Sequence, residues 1–480
     1  MKVLLTHTTR SLHTSRILSS STASSLKQRL KEVIPDKREK FTKIKKNYSD
    51  VKVGDITIGS VIGGMRGNQS MFWQGTSLDP EEGIRFQGLS IPECMDQMAG
   101  ISEIHGGSKS LLPESMLWLL MTGELPTKEQ TNSLSKELAE RGKILPQSVN
   151  TIVSNLPKDM HPMTQLAIGL ASLNQYSQFA KEYEKGSIGK NDYWDFIYED
   201  VLNLIASLPH LTGQIYANIT NEGKPLGEFN ENADWAYNIS SLLGMTTEAS
   251  SANKQNLSEK RAQDFADLVR LYTAIHVDHE GGNVSAHATH LVGSALGDPF
   301  ISYASGIMGL AGPLHGLAAQ EVVRFLVEMN ASISSPENVP EIEKYLWSIL
   351  NSRRVVPGYG HAVLRKPDPR FNAMLNFAKE RPDEFQSDKN VLLMENLSTI
   401  APKVLQEHGK CKNPFPNVDS ASGILFHHYG IQETLFFTVI FGCSRAIGSL
   451  TQLVWDRILG LPIERPRSLD MAALERLCNK

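Results

Sequence analysis

The sequence predicts a mostly α-helical protein with a few short strands near its start, and three features of the chain lead there. From about Ser90 onward, apolar residues recur at steps of three and four in PESMLWLLMTG, HPMTQLAIGLASL, YWDFIYEDVLNLIASL and AQDFADLVRLYTAIH, a spacing that collects them on one helix face. Before that, in residues 51–86, short β-favouring runs (DITIGSVIGG, GIRFQG) alternate with glycine and suit two or three short strands. No internal repeat of about 30–50 residues is evident, which argues against a solenoid. At 480 residues the chain exceeds what one hydrophobic core normally serves, so a large domain with a smaller one is expected. The large domain is placed at 51–315 and 424–480, and the small helical domain at 316–423.

Taken in order, residues 1–31 contain no acidic side chain, while Lys2, Arg10, Arg16, Lys27, Arg29 and Lys31 are spread among serines and threonines. That is the composition of a mitochondrial transit peptide, and the VLL run is too short for a secretory signal. Residues 35–49 read as a lysine-rich, exposed approach to the folded body. Ser90 ahead of Ile-Pro-Glu, and Thr127 with Gln130, have the spacing of helix N-caps, and Gly142 stops the helix that Thr127 opens. Residues 247–262 (TEASSANKQNLSEKRA) are polar and aperiodic, as in a surface loop, and 332–340 separates two helical runs.

The bulk properties exclude several classes. Forty-eight basic against fifty-two acidic residues leave a net charge of −4, so no global basic field points to nucleic acid or an anionic membrane. Cys94, Cys411, Cys443 and Cys478 lie far apart with no CxxC pair, which removes a zinc ribbon and a disulfide framework. The most apolar late stretch, 435–455, is interrupted by Arg445 and makes a poor membrane span. P-loop, dinucleotide-binding and serine-nucleophile motifs are all missing.

Chemistry concentrates in a few segments. VVPGYGHAVLRKPDPR (355–370) flanks Tyr359 with glycines that let the backbone approach a ligand, and supplies His361, Arg365 and Arg370 as a proton donor and two anion anchors. HVDHEGGNVSAHATH (276–290) holds four histidines, but HExxH would need a histidine at Asn283, so no metal is expected. His315, in GLAGPLHGLAAQ, precedes a helix whose N-terminal dipole disfavours imidazolium, which suits a neutral N–H donor to an enolate oxygen; a capping or core histidine is the alternative. Asp419, after two prolines and ahead of a helix starting near Ser420, is either a plain N-cap or the carboxylate base that such a histidine requires. Arg445 interrupts an apolar helix and calls for an anion, whether a substrate or an internal carboxylate. Arg465 sits in a proline-bounded extended segment, as a surface charge or as a residue lent to a partner subunit.

Together, DHEGGNVSAH, GLAGPLHGLA, VVPGYGHAVLR, PNVD and ERPRS, with GGMRG, EGIRFQGLSIPEC and LHPMTQL, closely resemble the eukaryotic mitochondrial citrate synthases over residues 51–467. The resemblance implies a homodimer of the mitochondrial matrix, in which two domains close over oxaloacetate and then acetyl-CoA, with no metal or cofactor. By the same resemblance Asp419 is the base, His315 holds the enol oxygen and His361 protonates the oxaloacetate carbonyl. His279, His361, Arg370 and Arg445, with Arg465 from the other subunit, match the oxaloacetate shell. Val356, Pro357, Gly358, Tyr359 and Gly360 match the adenine cradle, and Arg66, Arg365 and Lys181 match phosphate contacts; Lys181 keeps the charge of the arginine expected there but not its fork. Residues 247–262 stand as an insertion. Two other functions fit the same residues: a 2-methylcitrate synthase acting on propionyl-CoA, and a filament-forming protein that uses this fold structurally.

Overall fold

The computed structural model describes residues 24–98, 110–252, 257–361 and 363–479. The first helix, α1 (Leu26–Tyr48), opens at Ser25, whose hydroxyl accepts the Gln28 N–H, and it buries Leu26, Leu30 and Ile34. The transit-peptide reading of residues 1–31 overlaps the start of this helix. Residues 26–31 belong to the folded body, where Lys27 also pairs with Asp195 and Glu199. Residues 1–23, which carry the rest of that reading, lie outside the described residues. The lysine-rich stretch from Pro35 is exposed but continues α1 as helix.

Where DITIGSVIGG suggested a strand, the chain forms α2 (Ile58–Ile62), because Thr57 and Ser60 cap one another's backbone N–H groups. The strands come just afterwards. β1 (Thr76–Asp79), β2 (Gly83–Phe86) and β3 (Leu89–Ser90) form an antiparallel meander with Thr76 opposite Phe86 and Arg85 opposite Ser90.

Helices fill the remainder. α3 (Ile91–Met98), α4 (Pro113–Thr122), α5 (Lys128–Gly142), α6 (Gln147–Ser154), α7 (Pro162–Ser172) and α8 (Gln178–Glu184) lead into the long α9 (Tyr193–Thr220). The Thr127–Gln130 capping box opens α5 as its spacing predicts. Next come α10 (Trp235–Leu242), α11 (Thr247–Ala252) and α12 (Glu259–Ile275), so the polar stretch expected as a loop is helical at both ends. Ser258 explains the second end, since its hydroxyl caps Arg261 N–H. After α13 (Val284–Ser294) and α14 (Pro299–Leu310) come α15 (Ala318–Ser332), α16 (Val339–Asn351), α17 (Pro369–Lys379), α18 (Pro382–Phe385), α19 (Lys389–His408) and α20 (Asp419–His428). The chain ends with α21 (Phe437–Leu459) and α22 (Met471–Cys478).

Two packing facts position the site. First, α21 is buried along almost its whole length against α4, α9, α12, α13 and α14. The stretch Thr434–Leu459 is apolar and long enough to cross a membrane, but 83% of its apolar window is buried inside the protein, so it serves as a core helix. Second, α15, α17 and α19 all pack on α20, while α16 packs on α19. The expected small-domain boundary at Gly423 lies within α20, which runs on to His428. Gly448 sets the closest approach of the central helix to the loop ahead of α13. Its N–H donates to Val277 C=O at 3.0 Å, and a Cβ there would sit 2.4 Å from Asp278 Cβ.

Candidate active site

The loop between α12 and α13 is fixed by one buried carboxylate. Asp278 accepts from Trp73 Nε1 at 2.7 Å, from Thr76 Oγ1 at 2.7 Å and from the His279 N–H at 2.9 Å, which ties the loop to β1. With that anchor in place, the buried Nε2 of His279 finds no hydrogen-bond partner among the described residues. Asn283 caps α13 through Ala286 N–H, and its amide donates to the His279 and Glu280 carbonyls.

Arg445 reaches this loop from α21. Only 1% exposed, it donates to His276 C=O at 3.3 Å and to Asn283 Oδ1 at 3.1 Å, and its guanidinium lies 4.9 Å from the Phe441 ring centre. No carboxylate lies within ion-pair distance of it among the described residues. Burial pulls this guanidinium down to about 10, still a cation at neutral pH. Asp278 acts on it electrostatically without forming an ion pair, and a buried arginine lacking such a pair is costly, a cost that a bound anion would offset.

Two histidines face the same region with defined tautomers. His315 Nε2 accepts the Ser285 backbone N–H at 3.3 Å and lies 2.9 Å from the Ser285 hydroxyl, so the ring proton of the neutral form sits on Nδ1. In His361 the roles reverse: Nδ1 accepts from the Val363 and Leu364 N–H groups, both at 3.0 Å, which leaves the proton on Nε2. Burial pushes both imidazoles down to about 4, helped by Arg445 at His315 and by Arg370 at His361. They are neutral N–H donors at physiological pH. The rings of His361 and His279 meet edge-on at 5.5 Å.

Asp419 is the first residue of α20, one position earlier than the sequence placed the helix start, and it is not the cap. Asn417 Oδ1 accepts the Asp419 N–H instead, which leaves the carboxylate free of any hydrogen bond among the described residues. Its recessed position pushes the carboxyl up to about 6, against the opposing pull of Arg370. The ionised group is thus a stronger base than an ordinary carboxylate. Arg370 itself is largely committed: Asp368, the cap of α17, takes its Nε and Nη2 at 2.7–3.2 Å.

The glycine-flanked loop runs beside the base. Gly360 N–H donates to Phe415 C=O, Asn417 N–H donates to Gly358 C=O, and Tyr359 bridges to Pro416. Gly358 has φ +80°, and a Cβ there would fall 2.5 Å from Ser420 Oγ. Only glycine satisfies both demands. Arg365 is exposed beside this loop, with Nη1 on the Val363 and Leu364 carbonyls.

The structure therefore brings His279, His315, His361, Arg370, Asp419 and Arg445 together. Arg66, after α2, Lys181, on α8 and 5.9 Å from the Tyr176 ring, and Arg465, on the segment after α21, are all exposed on the subunit surface and take no part in these contacts. Sequence reasoning missed Asn283, Ser285, Asp368 and Phe441. Asn283 and Asp368 carry an N-cap signal, each directly ahead of a helical run. Ser285 and Phe441 carry none; Phe441 stands out only because His276, His315 and Arg445 all pack on its ring.

Residues 64–467 match the family described as citrate synthase, C-terminal domain. The chain is 67% identical to citrate synthase 3, mitochondrial, of Saccharomyces cerevisiae over 98% of its own length and 96% of that protein's. It is 50% identical to 2-methylcitrate synthase, mitochondrial, of Aspergillus fumigatus over 95% and 94% of the two chains. The fold superposes with a TM-score of 0.68, at 20% identity and over 86% of this chain and 96% of the other, on citrate synthase from Thermoplasma acidophilum, solved as a ternary complex with carboxymethyl coenzyme A and oxaloacetate.

Proposed function

Because this chain belongs to the citrate synthase family, we propose that its cluster of two neutral histidines, one basic aspartate and an unpaired buried arginine condenses acetyl-CoA with oxaloacetate. The protein is a mitochondrial condensing enzyme of the acyl-transferring kind. Arg445 is the observation that carries the substrate assignment, since a dicarboxylate supplies the ion pair this buried cation does not make among the described residues.

In this reading oxaloacetate lies between Arg445, Arg370 and His279, whose unpartnered Nε2 donates to it, and a second subunit lends Arg465. Asp419 removes a methyl proton from acetyl-CoA while His315 Nδ1–H donates to the thioester oxygen, because a carboxylate cannot ionise so weak an acid unless the enolate is stabilised as it forms. The nucleophilic carbon attacks the keto carbon of oxaloacetate, and His361 Nε2–H donates to the carbonyl oxygen as it becomes a hydroxyl. Water then cleaves the citryl thioester to give citrate and CoA. The loop 356–360 cradles the adenine, and Arg66, Arg365 and a partner's lysine at position 181 meet the phosphates. No metal or cofactor enters any step; both small molecules are substrates. The α15–α20 group closes over them as the small domain of a homodimer, which serves the citric acid cycle behind a cleaved N-terminal leader.

The 50% identity to a 2-methylcitrate synthase keeps propionyl-CoA as the second reading. One methylene is worth only about 1–3 kcal/mol in an apolar pocket, so the catalytic residues do not separate the two. The test is CoA thiol release by the purified enzyme with oxaloacetate and either thioester. A higher kcat/KM for acetyl-CoA is expected; equal or better use of propionyl-CoA overturns the acetyl assignment.

A further inference from the structure

The segment after α21 turns one acidic residue toward its own subunit. Among residues 462–470 only Glu464 is not exposed. Its N–H donates to Ser294 Oγ at 3.0 Å, its Oε1 lies 2.9 Å from His287 Nε2, and its Oε2 lies 3.4 Å from His290 Nε2. His290 is held in turn, with Nδ1 2.8 Å from Asp456 Oδ2, whose other oxygen accepts from Gln452. These anchors stand on α13 and α21, the two helices that also carry Ser285 and Arg445.

Proline fixes the backbone around the neighbouring arginine. Pro466 restricts Arg465 to extended backbone, and in extended backbone adjacent side chains point to opposite faces. With Glu464 seated inward, Arg465 must project away from its own subunit, and it is exposed there. Resting on the proposed function, in which Arg465 serves the oxaloacetate of a second subunit, we propose that Glu464 is a positioning residue: seated on His287 and His290, it sets the direction and reach of Arg465. The three side chains touch no substrate. They link the catalytic α13 of one subunit to the arginine it lends the other.

The test compares Glu464→Ala, Glu464→Gln, Arg465→Ala and the double variant, measuring KM for each substrate, kcat and dimer mass by ultracentrifugation. Arg465→Ala should raise KM for oxaloacetate at least about tenfold. Glu464→Ala should reproduce most of that rise with KM for acetyl-CoA little changed, Glu464→Gln should recover part of it, and the double variant should be no worse than Arg465→Ala, because the two act as one unit. If Arg465→Ala leaves KM for oxaloacetate unchanged, the underlying role of Arg465 is wrong and the proposal goes with it. If Arg465→Ala raises KM but Glu464→Ala does not, or the double variant shows additive losses, positioning by Glu464 is overturned while Arg465 stands. Dissociation of the dimer, or equal loss for both substrates, in Glu464→Ala also overturns it, since a merely structural contact would do that.

Discussion

The Ser285 backbone N–H points at His315 Nε2 from 3.3 Å, so the first turn of α13 decides which nitrogen of this histidine carries its proton. The orphan N–H groups at a helix start usually bind a cap or an anion. Here one of them is spent on orienting an imidazole, and Asn283 caps the turn beside it. His315→Gln should lower kcat by about 10²–10⁴ with little change in KM for oxaloacetate. Ser285→Ala removes the hydroxyl contacts with His315 Nε2 and Asn283 Oδ1, both at 2.9 Å, but keeps the backbone N–H, and should cost far less, under about tenfold. Steady-state kinetics of the pair checks the ranking, and a larger loss in Ser285→Ala would refute it.

Asp419 gives a pH signature with a definite sign. As the proposed base, Asp419 must be ionised, so kcat/KM should fall as the pH drops through about 6, the value to which its recessed position raises it. His315 and His361, both near 4, stay neutral across that window and add no limb of their own.

Stability moves the opposite way at the same residue. Its folded value lies above the ordinary carboxylate value of about 3.9, so the cost of keeping it ionised is absent below that pH, grows as pH rises, and is complete above about 6. Asp419→Asn should therefore abolish condensation yet raise Tm at pH 7.5. Calorimetry beside activity tests this, and a lower Tm would show that the carboxylate has a stabilising partner.

Arg445→Met removes a buried cation that lacks a carboxylate partner, so apo stability should hold or rise while KM for oxaloacetate increases by at least about 10²-fold, or ~3 kcal/mol. Oxaloacetate should also lift Tm in the parent enzyme and fail to do so in the variant. Equal thermal shifts would remove Arg445 from the substrate shell.

Truncation locates where the folded body starts. Relative to deletion of residues 1–23, deleting 1–31 also removes the buried Leu26 and Leu30 and should cost several kcal/mol more, at about 2–5 for each large apolar side chain lost. Thermal melts of the two forms decide it.

The sequence carried the helical fold because apolar spacing is a local property, and the capping boxes at Thr127 and, less expectedly, Thr57 are local too. It misplaced the first strand because DITIGSVIGG has β-favouring residues but also a cap spacing, and the cap won. The leader-like composition of residues 1–31 runs on into α1, since cationic helix in a transit peptide and cationic helix on a protein surface look alike until Leu26 and Leu30 find a core.

The candidate site divides along the same line. Its chemistry-bearing residues were legible because each breaks a pattern: a charge in an apolar helix at Arg445, a histidine between glycines at His361, an aspartate behind two prolines at Asp419. What the sequence left open was whether each was spent internally. Tertiary structure decided that Arg370 is mostly paired with Asp368 while Arg445 has no carboxylate within ion-pair distance among the described residues, that Asn417 and not Asp419 accepts the first N–H of α20, and which nitrogen of each histidine is free to donate. Residue type and spacing along one chain determine which groups are present. Partners, tautomers and burial depend on atoms far apart in sequence, and only the folded packing brings these together.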